Sequence, residues 1–188
     1  MKALGMSGSP RKGGNSETLL AAVIEGAVAS GAESDGIIRL EGLTYRGCRG
    51  CDACVETGKC PVKDDVVKVH KRIRDSRILV LSTPIYYDGV TGQFKTFFDR
   101  LRPFSKDGGR LEGVRSGAII ASYADKENPS YTKSLEALLE YFTWFGDFAR
   151  KEVLAVAKLG GPGDAKSRPE VLANGRELGQ RLAQALKK

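Results

Sequence analysis

In KALGMSGSPRKGGNS, residues 2–16, a short apolar strand runs into a glycine, serine and basic turn, and a segment of helical period follows at once. Lys2 to Met6 reads as strand one. Glu17 to Ser30 reads as a helix with Leu20, Val23, Ile24 and Ala27 on one buried face and Gly31 as its stop. A helix that opens directly after such a loop turns free backbone N–H groups and its positive dipole end toward it, which makes residues 7–16 an anion site. Glycine allows close backbone approach. Ser9, Asn15, Ser16 and Thr18 offer short hydrogen-bonding side chains, and Arg11 or Lys12 a compensating charge. A monophosphate fits that inventory.

Two other phosphate motifs are excluded by spacing. A P-loop NTPase needs Gly-x4-Gly-Lys-Ser/Thr, whereas Gly8 and Gly13 are followed by Gly14 and Asn15, so the lysine is missing. The Gly-x-Gly-x-x-Gly of dinucleotide folds does not match either. A ligand-free surface turn with an N-cap is the plain alternative, and the density of hydrogen-bonding and basic residues after strand one weighs against it.

Outward from this stretch, apolar runs of strand length alternate with helical segments, the pattern of βαβ units around a parallel sheet. Ile37 to Leu40 is strand two. A helix begins near Asp64, a good N-cap, with Val66, Val69 and Ile73 inward. Ile78 to Ser82 is strand three, an unbroken apolar run of the central-strand kind, and Pro84 is read as its end. A helix from Thr91 carries Phe94, Phe97, Phe98 and Leu101 as core. Ser116 to Ser122 is strand four, Ser130 to Ala149 a helix, Val153 to Ala157 strand five and Arg168 to Lys187 the last helix. The expectation is α/β: a doubly wound, five-stranded parallel sheet of order 2-1-3-4-5 in an αβα sandwich, one domain over residues 1–188. That order places a ligand beyond the C-terminal ends of strands one and three.

Composition sets the limits. The 188 residues carry 30 Lys and Arg among 23 acidic residues, a net charge of +7 spread along the chain rather than gathered in one patch. Such a surface favours anionic ligands, and no nucleic-acid partner is expected. No segment is apolar for long enough to span a bilayer and the first residues lack a signal-peptide pattern, so a soluble cytoplasmic protein is expected. The single histidine, His70, lies on the helix after Asp64 and reads as a surface or packing residue, and no Gly-x-Ser-x-Gly elbow accompanies it; a serine hydrolase is disfavoured. Asp99 and Arg100 read as a structural ion pair.

After strand three stands Thr83-Pro84-Ile85-Tyr86-Tyr87-Asp88-Gly89-Val90-Thr91-Gly92-Gln93. An isoalloxazine ring needs flat apolar contact and backbone hydrogen bonds, which exposed aromatics between Pro84 and Gly89 would supply. The plain alternative packs Tyr86 and Tyr87 on neighbouring helices. Together GSPRKGGNS and STPIYYDGVTGQFKTFFDR resemble the NADPH-dependent FMN reductase and iron–sulfur flavoprotein branch of the flavodoxin-like superfamily. The resemblance covers Lys2 to Arg102 well and the remainder loosely, through LGGPGDA and the closing amphipathic helix. It implies FMN phosphate contacts at Ser7, Ser9, Arg11, Asn15, Ser16 and Thr18, and ring contacts at Pro84, Ile85, Tyr86, Tyr87, Asp88 and Gly89. A third ring contact follows strand four in such proteins; here that segment is Ser122-Tyr123-Ala124, without the glycine pair common among relatives.

All four cysteines fall in Cys48-x2-Cys51-x2-Cys54-x5-Cys60, within a loop spanning about residues 44–63. In a cytoplasmic protein, disulfides are disfavoured, which leaves an iron–sulfur cluster, zinc or redox-active thiols. Zinc ribbons bring two ligand pairs from separated turns. Three closely spaced cysteines and a fourth look more like a [4Fe–4S] loop, and the spacing resembles that of the iron–sulfur flavoproteins; flavin reductases of the same branch can carry similar loops without a demonstrated cluster. Arg46, Arg49 and Lys59 would offset the charge of a tetrathiolate.

Three functions follow from these residues. The first is a flavoprotein passing electrons between a ferredoxin-like carrier, its own cluster and FMN. The second is a cluster-free NAD(P)H-dependent FMN or quinone reductase. The third, of another class, is a non-catalytic flavin carrier or zinc-stabilised binding module. A homodimer or homotetramer is expected, since in this branch a neighbouring subunit often completes the flavin edge.

Overall fold

The computed structural model describes residues 1–105 and 107–187. Strand β1 (Lys2–Ser7) leads into α1 (Asn15–Ala29) and β2 (Glu33–Arg39). The cysteine-containing segment holds one short helix, α2 (Ala53–Thr57), and then come α3 (Asp65–Asp75), β3 (Ile78–Tyr86), β4 (Gly89–Val90) and α4 (Gly92–Asp99). The second half contains β5 (Leu111–Ser122), α5 (Pro129–Glu140), α6 (Phe142–Phe145), β6 (Gly146–Val156) and α7 (Pro169–Gln184). The long strands pair in the order β2-β1-β3-β5-β6, all parallel, and β4 is a two-residue antiparallel partner of the β3 tip. Without that small hairpin the order is the expected 2-1-3-4-5, and the crevice of a doubly wound sheet falls between the C-terminal ends of β1 and β3.

The central strands are apolar on both sides because helices cover both. Ala3, Ile78, Val80 and Ile120 pack with Leu20 and Val23 of α1 and Leu178 and Leu182 of α7. Their neighbours Leu4, Leu79, Leu81 and Ile119 face the other way, onto Val69 of α3, Phe94 and Phe97 of α4 and Leu135 of α5. The phenylalanines of α4 are core, as their spacing implies. So is His70, which sits edge-to-face on Phe104 at 5.1 Å between centroids. Where α1 crosses α7 the backbones touch: a Cβ on Gly179 would lie 1.9 Å from the Val23 carbonyl oxygen, and one on Gly26 1.9 Å from that of Arg176. Only glycine permits that approach. Gly31, at φ +89°, closes α1 in a Schellman turn, with Ala32 N–H bonded to the Ala27 carbonyl and Gly31 N–H to that of Val28.

Several boundaries differ from the sequence reading. Strand two starts at Glu33, strand four at Leu111 and strand five at Gly146, so the helix expected through Ala149 stops at Phe145. The added residues are polar or lie at sheet margins, where burial imposes no apolar run. Pro84 does not end strand three. The ladder to β1 finishes at Ser7 opposite Ser82, so no partner on that side needs the N–H that proline lacks, while Pro84 still stands opposite Ser122. Among the described residues no helix is long and apolar enough to cross a membrane.

Candidate functional site

The loop after β1 is braced from within. Ser9 is buried, and its hydroxyl accepts from Arg11 N–H at 3.1 Å and donates to the Arg11 carbonyl at 3.2 Å; Ser7, also buried, accepts from Ser9 N–H at 3.4 Å. A Cβ on Gly8 would meet Phe94 Cβ at 2.8 Å, so glycine there lets the loop pass over α4, and Gly8 N–H donates to the Ser82 carbonyl at 2.7 Å. Gly14, the N-cap of α1, supplies no side-chain cap. The first turn of a 15-residue helix is therefore left with open N–H groups and a positive dipole end. Arg11 and Lys12 are exposed and have no ion-pair partner among the described residues. The chemistry is that of an anion cradle with two uncommitted cations.

A cavity of about 240 Å³ opens over this cradle. Ser9, Arg11, Asn15 and Ser16 line it from the loop, Pro84, Ile85 and Tyr86 from the end of β3, and Ser122, Tyr123 and Ala124 from the end of β5. Three separated stretches thus converge, as expected for the crevice. Thr18 stays outside, its hydroxyl turned to the Gly13 carbonyl at 3.4 Å. Tyr87, Asp88 and Gly89 also lie beyond the wall. Ile85 and Tyr86 pair with Val90 and Gly89, so Tyr87 and Asp88 form a two-residue turn with φ of +48° and +62°. Positive φ at both positions is the signature of a type I′ hairpin, which favours Asn and Gly and strains a tyrosine. The Tyr87 side chain projects fully into solvent, while Asp88 accepts from Tyr131 OH at 2.8 Å.

Leu159, Gly160 and Pro162, in the LGGPGDA stretch that the sequence reading gives no part in the site, supply a fourth wall. Asn15 brings it there. Its amide donates to the carbonyls of Leu159 at 3.0 Å and Gly161 at 2.9 Å, and its oxygen accepts from Ala165 N–H at 3.1 Å. Expected as a phosphate contact, the Asn15 side chain instead spends its hydrogen bonds clamping the two loops together. The Gly160-Gly161 pair after the last strand was the available signal.

The cysteines form a second site with no lining residue in common with the first. All four border a cavity of about 330 Å³ together with Arg49, Asp52, Arg100, Arg102 and Pro103. Cys54 is buried, Cys60 half-buried, and Cys48 and Cys51 exposed. Burial pushes the Cys54 thiol up, and the neighbouring Cys60 and Cys48 sulfurs push it further. Among the described residues no three His, Cys, Asp or Glu side chains converge as ligands of a single ion.

Arg100 corrects the expected ion pair with Asp99. It is 1% exposed, and it pairs not with Asp99, which binds Lys95 at 2.7 Å, but with Asp64, at 2.7 and 3.0 Å. Its Nη1 also donates to the Arg46 carbonyl at 2.7 Å and its Nη2 to Cys60 Sγ at 3.4 Å. Burial opposes the charge on Arg100, yet the hydrogen bonds and charges of Asp64 and Cys60 outweigh it and the guanidinium is held more firmly protonated than usual. Asp64 is at the same time the N-cap of α3, accepting from Val66 N–H at 3.2 Å. Of the cations expected near the cysteines, Arg49 borders the cavity, whereas Lys59 and Arg46 do not.

Comparison with known proteins agrees with this geometry. A family model described as NADPH-dependent FMN reductase matches residues 1–158. An iron–sulfur flavoprotein of Methanocaldococcus jannaschii is 30% identical across the whole chain and 98% of its own length. One from Archaeoglobus fulgidus is 37% identical over 69% of the chain, a match spanning 57% of that relative. Among solved structures, an NAD(P)H:quinone oxidoreductase from Methanothermobacter marburgensis superposes with a TM-score of 0.76 at 18% identity, covering 97% of this chain and 96% of the other. An archaeal flavodoxin superposes at 0.59 and 12% identity over the full length of both, which speaks for the fold alone.

Proposed function

The chain belongs to the NADPH-dependent FMN reductase family of flavin-dependent oxidoreductases, and on that premise we propose that it carries FMN over the α1 cradle and a [4Fe–4S] cluster on Cys48, Cys51, Cys54 and Cys60. The observation that carries the reading is the pair of separate cavities, one an anion cradle walled by strand ends, the other bordered by every cysteine of the chain. The uncapped start of α1, with Ser9, Ser16 and Arg11, would hold the flavin phosphate. Pro84 to Tyr86 and Ser122 to Ala124 would flank the ring, and the Asn15 clamp keeps the loop of residues 159–162 against it. Tyr87, Asp88 and Gly89, outside the cavity wall, would meet the ring only at its exposed edge. FMN supplies one- and two-electron chemistry and a cluster one-electron chemistry, a combination suited to exchange between a ferredoxin-like carrier and a two-electron substrate.

The test is anaerobic purification followed by spectra and assay of FMN, iron and sulfide per chain. About four irons and four sulfides beside one FMN are expected; full flavin with fewer than about four irons would overturn the cluster assignment. Cys51→Ser should then lose iron and keep FMN. A second reading, a cluster-free NAD(P)H-dependent FMN or quinone reductase, is favoured by the family description itself. It predicts NAD(P)H oxidation that Cys51→Ser leaves intact.

A further inference from the structure

Arg100 lies in the wall of the four-cysteine cavity, and we propose that it is a positioning residue of the cluster site, fixing the Cys60 sulfur and raising the reduction potential of the cluster. The inference rests on the cysteine reading given above. An arginine is buried to this degree only with strong partners, and a plain ion pair to Asp64 would satisfy that need. The side chain does more. Its Nη2 donates to Cys60 Sγ, its Nη1 is shared between Asp64 and the Arg46 carbonyl at the start of the cysteine loop, and its Nε–H is buried without an acceptor among the described residues. A single planar group therefore ties both ends of the cysteine loop to the C-terminal end of α4.

Asp64 offsets this charge in part, its carboxylate being shared with Val66 N–H, and what Arg100 presents to Cys60 is a buried N–H donor. The other nearby cations act through solvent: Arg49 is exposed, and Arg102 is one-third exposed and bound to Asp52 at 3.1 Å. Arg100 acts from inside. Hydrogen bonds to ligand sulfurs and buried positive charge stabilise the more negative, reduced state. In that couple an external one-electron donor is oxidised and the cluster gains one electron; no bond to Cys60 forms or breaks and no proton moves.

The experiment is a redox titration with dithionite, under argon, of the anaerobically purified holoprotein and its Arg100→Met, Arg100→Lys and Asp64→Asn variants, with iron and FMN counted in each. Arg100→Met should shift the reduction equilibrium about tenfold toward the oxidised form, about 59 mV for a one-electron couple. Arg100→Lys should recover part of the shift. Asp64→Asn, which strips the guanidinium of its counter-charge, should move the potential upward. FMN content should stay at the wild-type level. Arg100→Met with four irons and the wild-type potential overturns the proposal, as does a shift in one direction for both Arg100→Met and Asp64→Asn. Should Arg100→Met lose its iron, an unmoved potential in Asp64→Asn overturns it equally. A wild-type chain without iron removes the cluster reading and this inference together, whereas a four-iron wild type with unmoved variants removes the inference alone.

Discussion

Replacing Asn15 with alanine separates two roles that a residue in a phosphate loop can have. The side chain makes three hydrogen bonds to the loop after β6, at 3.0, 2.9 and 3.1 Å. At about 1 kcal/mol net each they amount to about 3 kcal/mol. For a chain of this size that lowers the Tm of the FMN-free protein by about 6–12 °C. Because the loop of residues 159–162 walls the cavity, a loop released by the substitution has to be ordered again when FMN binds, so the Kd should weaken as well. Differential scanning fluorimetry without FMN and flavin-fluorescence quenching titrations measure the two effects independently. Asn15→Asp should be worse: it keeps the acceptor for Ala165 N–H but turns a carboxylate on two carbonyls and on the phosphate. A direct phosphate ligand would lose affinity and leave the flavin-free protein untouched. If the Tm of FMN-free Asn15→Ala stays within about 2 °C of wild type, the clamp argument is refuted.

Gly179→Ala would place a Cβ 1.9 Å from the Val23 carbonyl oxygen and 2.7 Å from Ala27 N, so α1 and α7 must part; a loss of about 3 kcal/mol is expected in urea unfolding, and a change under about 0.5 would contradict the close crossing. His70 has its pKa pushed down to about 4, first by burial and then by the charges of Arg100 and Arg74. The folded value lies below the unfolded one near 6.5, so as pH falls the unfolded chain takes up its proton first, and stability is lost between about pH 6.5 and 4, by up to about 3 kcal/mol. His70→Leu should flatten that part of the pH–stability curve; an unchanged slope would remove His70 as its source. Tyr87→Gly relieves a tyrosine at φ +48° and should raise stability by about 1 kcal/mol in thermal melts, whereas a drop would mean the tyrosine has packing partners.

The centre of the fold was legible because burial on both faces forces unbroken apolar runs such as Ile78 to Ser82, and the anion loop because helix geometry dictates its chemistry. What escaped lies where a different force decides. The polar starts of β5 and β6 are held by ladder pairing, which leaves no mark on hydrophobic periodicity. The turn at the tip of β3 falls on Tyr87 and Asp88, and a tyrosine carries no turn signal. Arg100 was read with its neighbour in sequence. Its true partners, Asp64 and Cys60, stand 36 and 40 positions away, and nothing local foretells such a pairing.

The clamp at Asn15 also orders events in the life of the chain. Its partners are 144, 146 and 150 residues downstream, and the apolar face of α1 waits still longer for Leu178 and Leu182 of α7. During synthesis the anion loop is made long before its fourth wall and the cover of its helix. A nascent chain therefore shows an unfinished cradle and a sticky helix until α7 has been made.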